Sequence, residues 1–130
     1  MPRFVVLEHA QPRGRHWDLM LQVGSALATW ALDRPPDAAG PVAAELLPDH
    51  RTSYLDYEGP ISAGRGSVSQ WDAGEYLLHS RSETELTATL AGKKLVGRIS
   101  LTRLGDDPAR WRFSFEATGP QAGGTVQNRQ

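Results

Sequence analysis

Apolar and polar residues alternate with a period of two along most of the chain, which is the signature of half-buried β-strands. Residues 4–9 form a short apolar run rich in β-branched side chains. In residues 16–23, Trp17, Leu19 and Leu21 fall on one side and His16, Asp18 and Met20 on the other. Gly24-Ser25 offers a two-residue turn with glycine first, and residues 26–32 return as its hairpin partner. The proline-rich stretch 33–41 reads as a loop, because proline joins neither a ladder nor a helix interior. Residues 42–47 read as a strand leading into a loop at Pro48-Asp49-His50, and 54–60 closes with a turn. Gly64-Arg65-Gly66 starts another turn before residues 67–72, and Ala73-Gly74 separates that run from 75–80. Residues 85–90, 95–104 and 111–117 complete the strands. Short strands at this regular spacing predict an all-β domain, an antiparallel barrel or sandwich, with few short helices at 43–45 or 53–56. The expected domain is 1–117, and the Gly/Gln-rich residues 118–130 are expected to be a disordered tail.

Composition narrows the chemistry. The 130 residues have 39% hydrophobic content and a mean hydropathy of −0.44, ordinary for a water-soluble globule. No apolar run reaches the ~18 residues of a membrane span, and the short N-terminal run is no signal peptide. The chain is therefore expected in the cytoplasm, away from any membrane. It has no cysteine, so a metal must be held by imidazole and carboxylate. With 14 basic and 15 acidic residues it carries no global field to grip many phosphates, but a site for one or two is allowed.

The densest chemistry lies in HAQPRGRHWDLM, residues 9–20. His16 and Asp18 share a strand face, and His9 ends the preceding strand on the side of Val5 and Leu7. A connection over residues 10–15 that folds back would set His9 beside His16. Two imidazoles and a carboxylate suit manganese, zinc or iron with open positions; the bland alternative is a hydrogen-bonded surface strand with solvated arginines. His50 is a candidate general acid or phosphate ligand and Tyr54 a hydrogen-bond donor, against the plain reading of a surface loop. Strand pairing accounts for His79, and Lys93-Lys94 reads as a turn with solvated charges.

Taken in order, FVVLEH, HWDLMLQ, LATWALDRPP, DHRTSYLDYEGPI, SVSQWDAGEY and LAGKKLVGRISLTRL span residues 4–104. This series resembles the 3′-phosphoesterase domain of bacterial DNA ligase D and its stand-alone relatives. The resemblance implies a closed β-barrel whose crevice holds one divalent cation, usually manganese, with zinc as the other option. It also implies trimming of 3′ ends of DNA or primer strands: a terminal ribonucleoside is removed to leave a 3′-phosphate, which is then hydrolysed to a hydroxyl. By position, His9, His16 and Asp18 correspond to the metal ligands and His50 and Tyr54 to residues at the phosphate. Arg34 stands where the family usually has lysine. The chain departs from the pattern at Met20, where an arginine is usual, and at Pro48, where an acidic residue is frequent. The connection after His9 is one residue longer, which offers Arg13 or Arg15 as a replacement guanidinium. The glycine-rich stretch after Pro60 is shorter.

Three readings follow. The first is a metal-dependent 3′-phosphoesterase, with a DNA ligase or polymerase as a partner in trans. The second, motivated by Met20 and Pro48, is a catalytically impaired module that binds nucleic-acid ends or phosphate. The third takes His16, Asp18 and His50 as the facial triad of an iron oxygenase or cupin-like barrel.

Overall fold

The computed structural model describes residues 1–118. Its elements are β1 (Arg3–Gln11), β2 (Gly14–Val23), β3 (Ala26–Leu32), β4 (Val42–Arg51), a 3₁₀ turn (Thr52–Leu55), β5 (Gly59–Pro60), β6 (Ser67–Arg81), β7 (Glu85–Gly92), β8 (Val96–Arg103) and β9 (Arg110–Ala117). The strand order is β1-β2-β3-β4-β9-β8-β7-β6-β5, and β6 pairs back onto β1. The expected all-β antiparallel architecture is therefore present, as a ring of eight strands with β5 attached to β6.

Four expectations change. The connection at 10–15 is mostly ladder: Ala10 pairs with Arg15 and Gln11 with Gly14, so only Pro12-Arg13 turns. Residues 43–45 are strand rather than helix, because β4 finds partners on both β3 and β9 and alternates Val42 and Ala44 into the core. β4 then runs on to Arg51, which puts His50 on a strand. Nor do Ala73-Gly74 break the chain. β6 is one bent strand that pairs with β1 through Glu75 and with β7 from Gly74 onward, closing the ring. A side chain at Gly74 would collide with the Ala91 carbonyl, so glycine permits this close handover. The helical piece expected at 53–56 is the 3₁₀ turn. Thr118 donates its N–H to the Val96 carbonyl; the rest of the expected tail lies outside the described residues.

Two apolar clusters explain where the site lies. The larger contains Phe4, Val6, Leu19, Leu21, Trp30, Phe113 and their neighbours, one alternate face of each strand. The smaller contains Val5, Leu7, Met20, Leu27 and Val68, drawn from the opposite faces of β1, β2, β3 and β6, together with Leu55 of the 3₁₀ turn. That second face is buried because the 3₁₀ turn folds over it, with Leu55 at 3% exposure. Each aliphatic chain buried there contributes about 1.5–3 kcal/mol, which holds the cover down. An ion pair of 2.7 Å from Arg3 to Asp56 ties the end of the turn to β1.

Candidate metal centre and active-site crevice

Cross-strand register assembles the site. His9 on β1 lies opposite His16 on β2, and Leu7 lies opposite Asp18, so all four share the face of the smaller cluster. His9 Nδ1 is 3.1 Å from His16 Nε2 and 3.5 Å from Asp18 Oδ2, while His16 Nε2 is 3.0 Å from Asp18 Oδ1. Asp18 is 4% exposed. Its Oδ1 accepts no well-directed hydrogen bond: the approach of His16 is close enough for an ion pair but lies off the line that an N–H bond requires.

Partner chemistry fixes the protons. His9 Nε2 lies 2.8 Å from the Arg65 carbonyl, which can only accept, so Nε2 carries a hydrogen and Nδ1 of the neutral ring is a bare lone pair. The neighbouring Asp18 carboxylate holds the His16 pKa above the ordinary imidazole value, against the opposing effect of burial, with a smaller contribution from Glu45. Two nitrogens at hydrogen-bond distance from each other and a carboxylate whose Oδ1 has no aligned partner thus converge on one space.

The separations suit a cation. Metal–ligand bonds of about 2.1 Å put neighbouring ligand atoms about 3.0–3.4 Å apart, depending on geometry. One ligand atom from each of His9, His16 and Asp18 lies within 4.8 Å of the other two, and these residues form the cluster of this kind found among the described residues. The carbonyl behind His9 is the outer-shell contact that fixes a metal-binding tautomer.

The site opens into a crevice of about 240 Å³ that also includes Gln11, Met20, His50, Tyr54 and Arg65. A wider trench of about 650 Å³ continues from it along Pro48, Tyr54, Tyr57 and Ile61. His50 donates from Nδ1 to the Pro48 carbonyl at 2.9 Å, leaving Nε2 without a hydrogen-bond partner among the described residues, and packs edge-on against Tyr54 with centroids 5.6 Å apart. Tyr54 stands in the same way against Tyr57 at 5.8 Å.

A family model described as DNA Ligase D 3′-phosphoesterase domain matches residues 7–103. The chain belongs to that family. Among curated relatives, the multifunctional non-homologous end joining DNA repair protein LigD of Mycobacterium tuberculosis is 32% identical over 117 residues. The multifunctional non-homologous end joining protein LigD of Mycobacterium bovis gives the same identity and length. Each alignment covers 83% of this chain and 15% of the relative, so the chain spans a small part of the curated proteins it matches.

Placed in this 3′-phosphoesterase domain, the remaining expected residues separate. The structure gathers His9, His16, Asp18, His50 and Tyr54 around one crevice. The facial triad of His16, Asp18 and His50 does not form: the imidazole that joins His16 and Asp18 in the cluster is His9, while His50 lines the same crevice outside it. Arg15 lies one residue out of phase and forms an ion pair with Glu8, which is out of phase on β1 in the same way. Arg13 sits exposed in the tight turn. Arg34 hydrogen-bonds the Ala39 and Pro41 carbonyls of its own loop and lines neither the crevice nor the trench. Among the described residues, the arginine or lysine that does line the crevice is Arg65. It was hidden in a Gly-Arg-Gly turn, and its one signal was a lone charge between glycines after Gly59-Pro60. Met20 is 1% exposed in the floor. Pro48 takes part through its backbone, as the acceptor that orients His50.

The last two family blocks are structural. Asp72 accepts the N–H groups of Lys93, Lys94 and Leu95 at 2.9, 3.1 and 2.8 Å and so fixes the turn between β7 and β8. A side chain on Gly92 would occupy the space of that carboxylate. Lys94 Nζ stands 4.3 Å above the Trp71 ring, so one of the two turn lysines is not merely solvated.

Proposed function

We propose that the chain is a metal-dependent phosphoesterase that processes 3′-phosphate and 3′-ribonucleotide ends of DNA in repair. Family membership and the end-joining names of its relatives support the substrate class. One observation carries the metal: two imidazole nitrogens and a buried carboxylate converge at ligand-to-ligand distances, and one oxygen of that carboxylate has no hydrogen-bond partner. His9 Nδ1, His16 Nε2 and Asp18 would hold a divalent ion, most suitably manganese given a donor set of nitrogen and oxygen without thiolate, with zinc also compatible. When bound, that ion supplies Lewis acidity at the phosphoryl group.

The chain's own residues supply the rest. With Nδ1 committed to the Pro48 carbonyl, His50 keeps Nε2 for the reaction: as water attacks phosphorus, that atom in the imidazolium form delivers a proton to the departing oxygen, the 5′ oxygen of a terminal ribonucleoside or the 3′ oxygen beneath a terminal phosphate. Tyr54 offers its hydroxyl to a phosphoryl oxygen, and its ring against His50 sets the imidazole orientation. The trench beyond accommodates the adjoining nucleotides of the DNA or primer strand. A DNA ligase or polymerase would act in trans in the cytoplasm, on the hydroxyl left behind. The described residues contain no helix long and apolar enough to cross a membrane.

The deciding assay offers primers ending in a 3′-phosphate or a 3′-ribonucleotide to the protein with manganese, beside His16→Ala. The proposal expects product from the native chain and none from the variant; equal turnover, or none from either, contradicts it. The buried apolar Met20 favours a second reading, an end-binding module without hydrolysis. That reading expects metal and end binding with no product.

A further inference from the structure

We propose that Arg65 recognises the terminal phosphate, so that a single residue fixes a metal ligand through its backbone and reads the substrate through its side chain. This rests on the end-processing reading above. Crevice and trench meet at Leu47, His50, Tyr54, Ile61 and Arg65, and a strand end entering the crevice must pass this junction. Arg65 is the one lysine or arginine lining the crevice among the described residues; Arg51 lines the trench alone. A terminal phosphate carries up to two negative charges and must approach the desolvated Asp18 carboxylate. A fixed positive charge lining the same crevice offsets that repulsion.

Arg65 is prepared for the task. Its Nε donates to the Ser62 carbonyl at 3.0 Å and Nη2 to Ser62 Oγ at 3.1 Å. Nη1 has no protein partner among the described residues. The guanidinium is therefore tethered before substrate arrives, which lowers the ordering cost of binding. The loop itself is locked in place. Ile61 N–H donates to the Gly66 carbonyl at 2.7 Å, and Gly66 adopts φ +92° against the Ala10 carbonyl, where any Cβ would collide. This seating holds the Arg65 carbonyl on His9 Nε2. Replacing the side chain leaves that carbonyl in position, which separates the two roles experimentally.

The test compares native protein with Arg65→Met and Arg65→Lys. Binding of labelled oligonucleotides ending in a 3′-phosphate or a 3′-hydroxyl is measured in chelator, which prevents turnover. The native chain is expected to prefer the phosphate by about tenfold or more, the range of one charge-assisted hydrogen bond. Arg65→Met abolishes the preference and leaves hydroxyl-end affinity unchanged, and Arg65→Lys restores part of it. Manganese titration of Arg65→Met gives an affinity within about twofold of native, because the carbonyl on His9 remains. A native protein without the preference, a Met variant that keeps it, or a Met variant that loses manganese affinity overturns the inference. Hydrolysis is scored separately. An Arg65-dependent preference without product contradicts the phosphoesterase reading and leaves Arg65 standing; product with an unaltered preference in Arg65→Met does the reverse.

Discussion

Asp18 and Asp72 are each 4% exposed, on neighbouring parts of one ring, yet their surroundings are opposite. Asp72 accepts three backbone N–H groups, which satisfy its charge and fasten a turn. Among the described residues Asp18 has no backbone donor; it faces two imidazoles, and one of its oxygens lacks an aligned hydrogen bond. Burying a carboxylate is costly unless its lone pairs are met. The fold meets that cost internally at Asp72 and leaves it open at Asp18. Equal burial therefore separates a structural carboxylate from one disposed toward a ligand only when the partners are counted.

The largest effect that would break this contrast concerns Asp72. Asp72→Ala removes three charge-assisted hydrogen bonds and should destabilise the fold by about 3 kcal/mol or more, read in denaturant unfolding. Asp18→Asn should shift stability by less than about 1 kcal/mol, because it removes a desolvated charge without orphaning any backbone donor. The same variant should weaken manganese binding by about 100-fold in calorimetry, an effect the Asp72 contact cannot produce. An Asp18→Asn protein as damaged in folding as Asp72→Ala would erase the distinction.

A smaller effect follows from protons. The Asp18 carboxylate raises the pKa of His16, so the metal-free site holds its proton to higher pH than a free imidazole. A cation must displace that proton. Manganese affinity should therefore fall with decreasing pH, beginning above the ordinary imidazole range and approaching about tenfold per pH unit. A pH-independent affinity would place the ion elsewhere. Smallest of all, Arg15→Ala should change stability by under about 0.5 kcal/mol and leave turnover intact, since Arg15 forms an exposed ion pair with Glu8 on the far side of the strands. A large loss of turnover would instead return Arg15 to the crevice.

The strand faces were legible because period-two alternation is a local property: His16, Asp18 and Met20 had to share a side, and antiparallel pairing had to bring His9 into reach. The phase that binds His16 to the site also excludes Arg15, a consequence of extending both strands through residues 10–15. Arg65 was illegible because a loop has no period. Its placement depends on the fit of Gly66 against Ala10, a contact between segments far apart in sequence. Asp72 was equally hidden: Asp-Ala-Gly resembles a turn, whereas here a bent strand presents the carboxylate to a distant hairpin. The role of Pro48 as acceptor for His50 belongs to the backbone, which residue identity does not reveal.

Anomalous diffraction from crystals grown with manganese tests the central claim most directly. One peak should appear about 2.1–2.2 Å from His9 Nδ1, His16 Nε2 and an Asp18 oxygen. Fully occupied manganese bound elsewhere, with these three side chains still turned toward one another and nothing between them, would contradict the account.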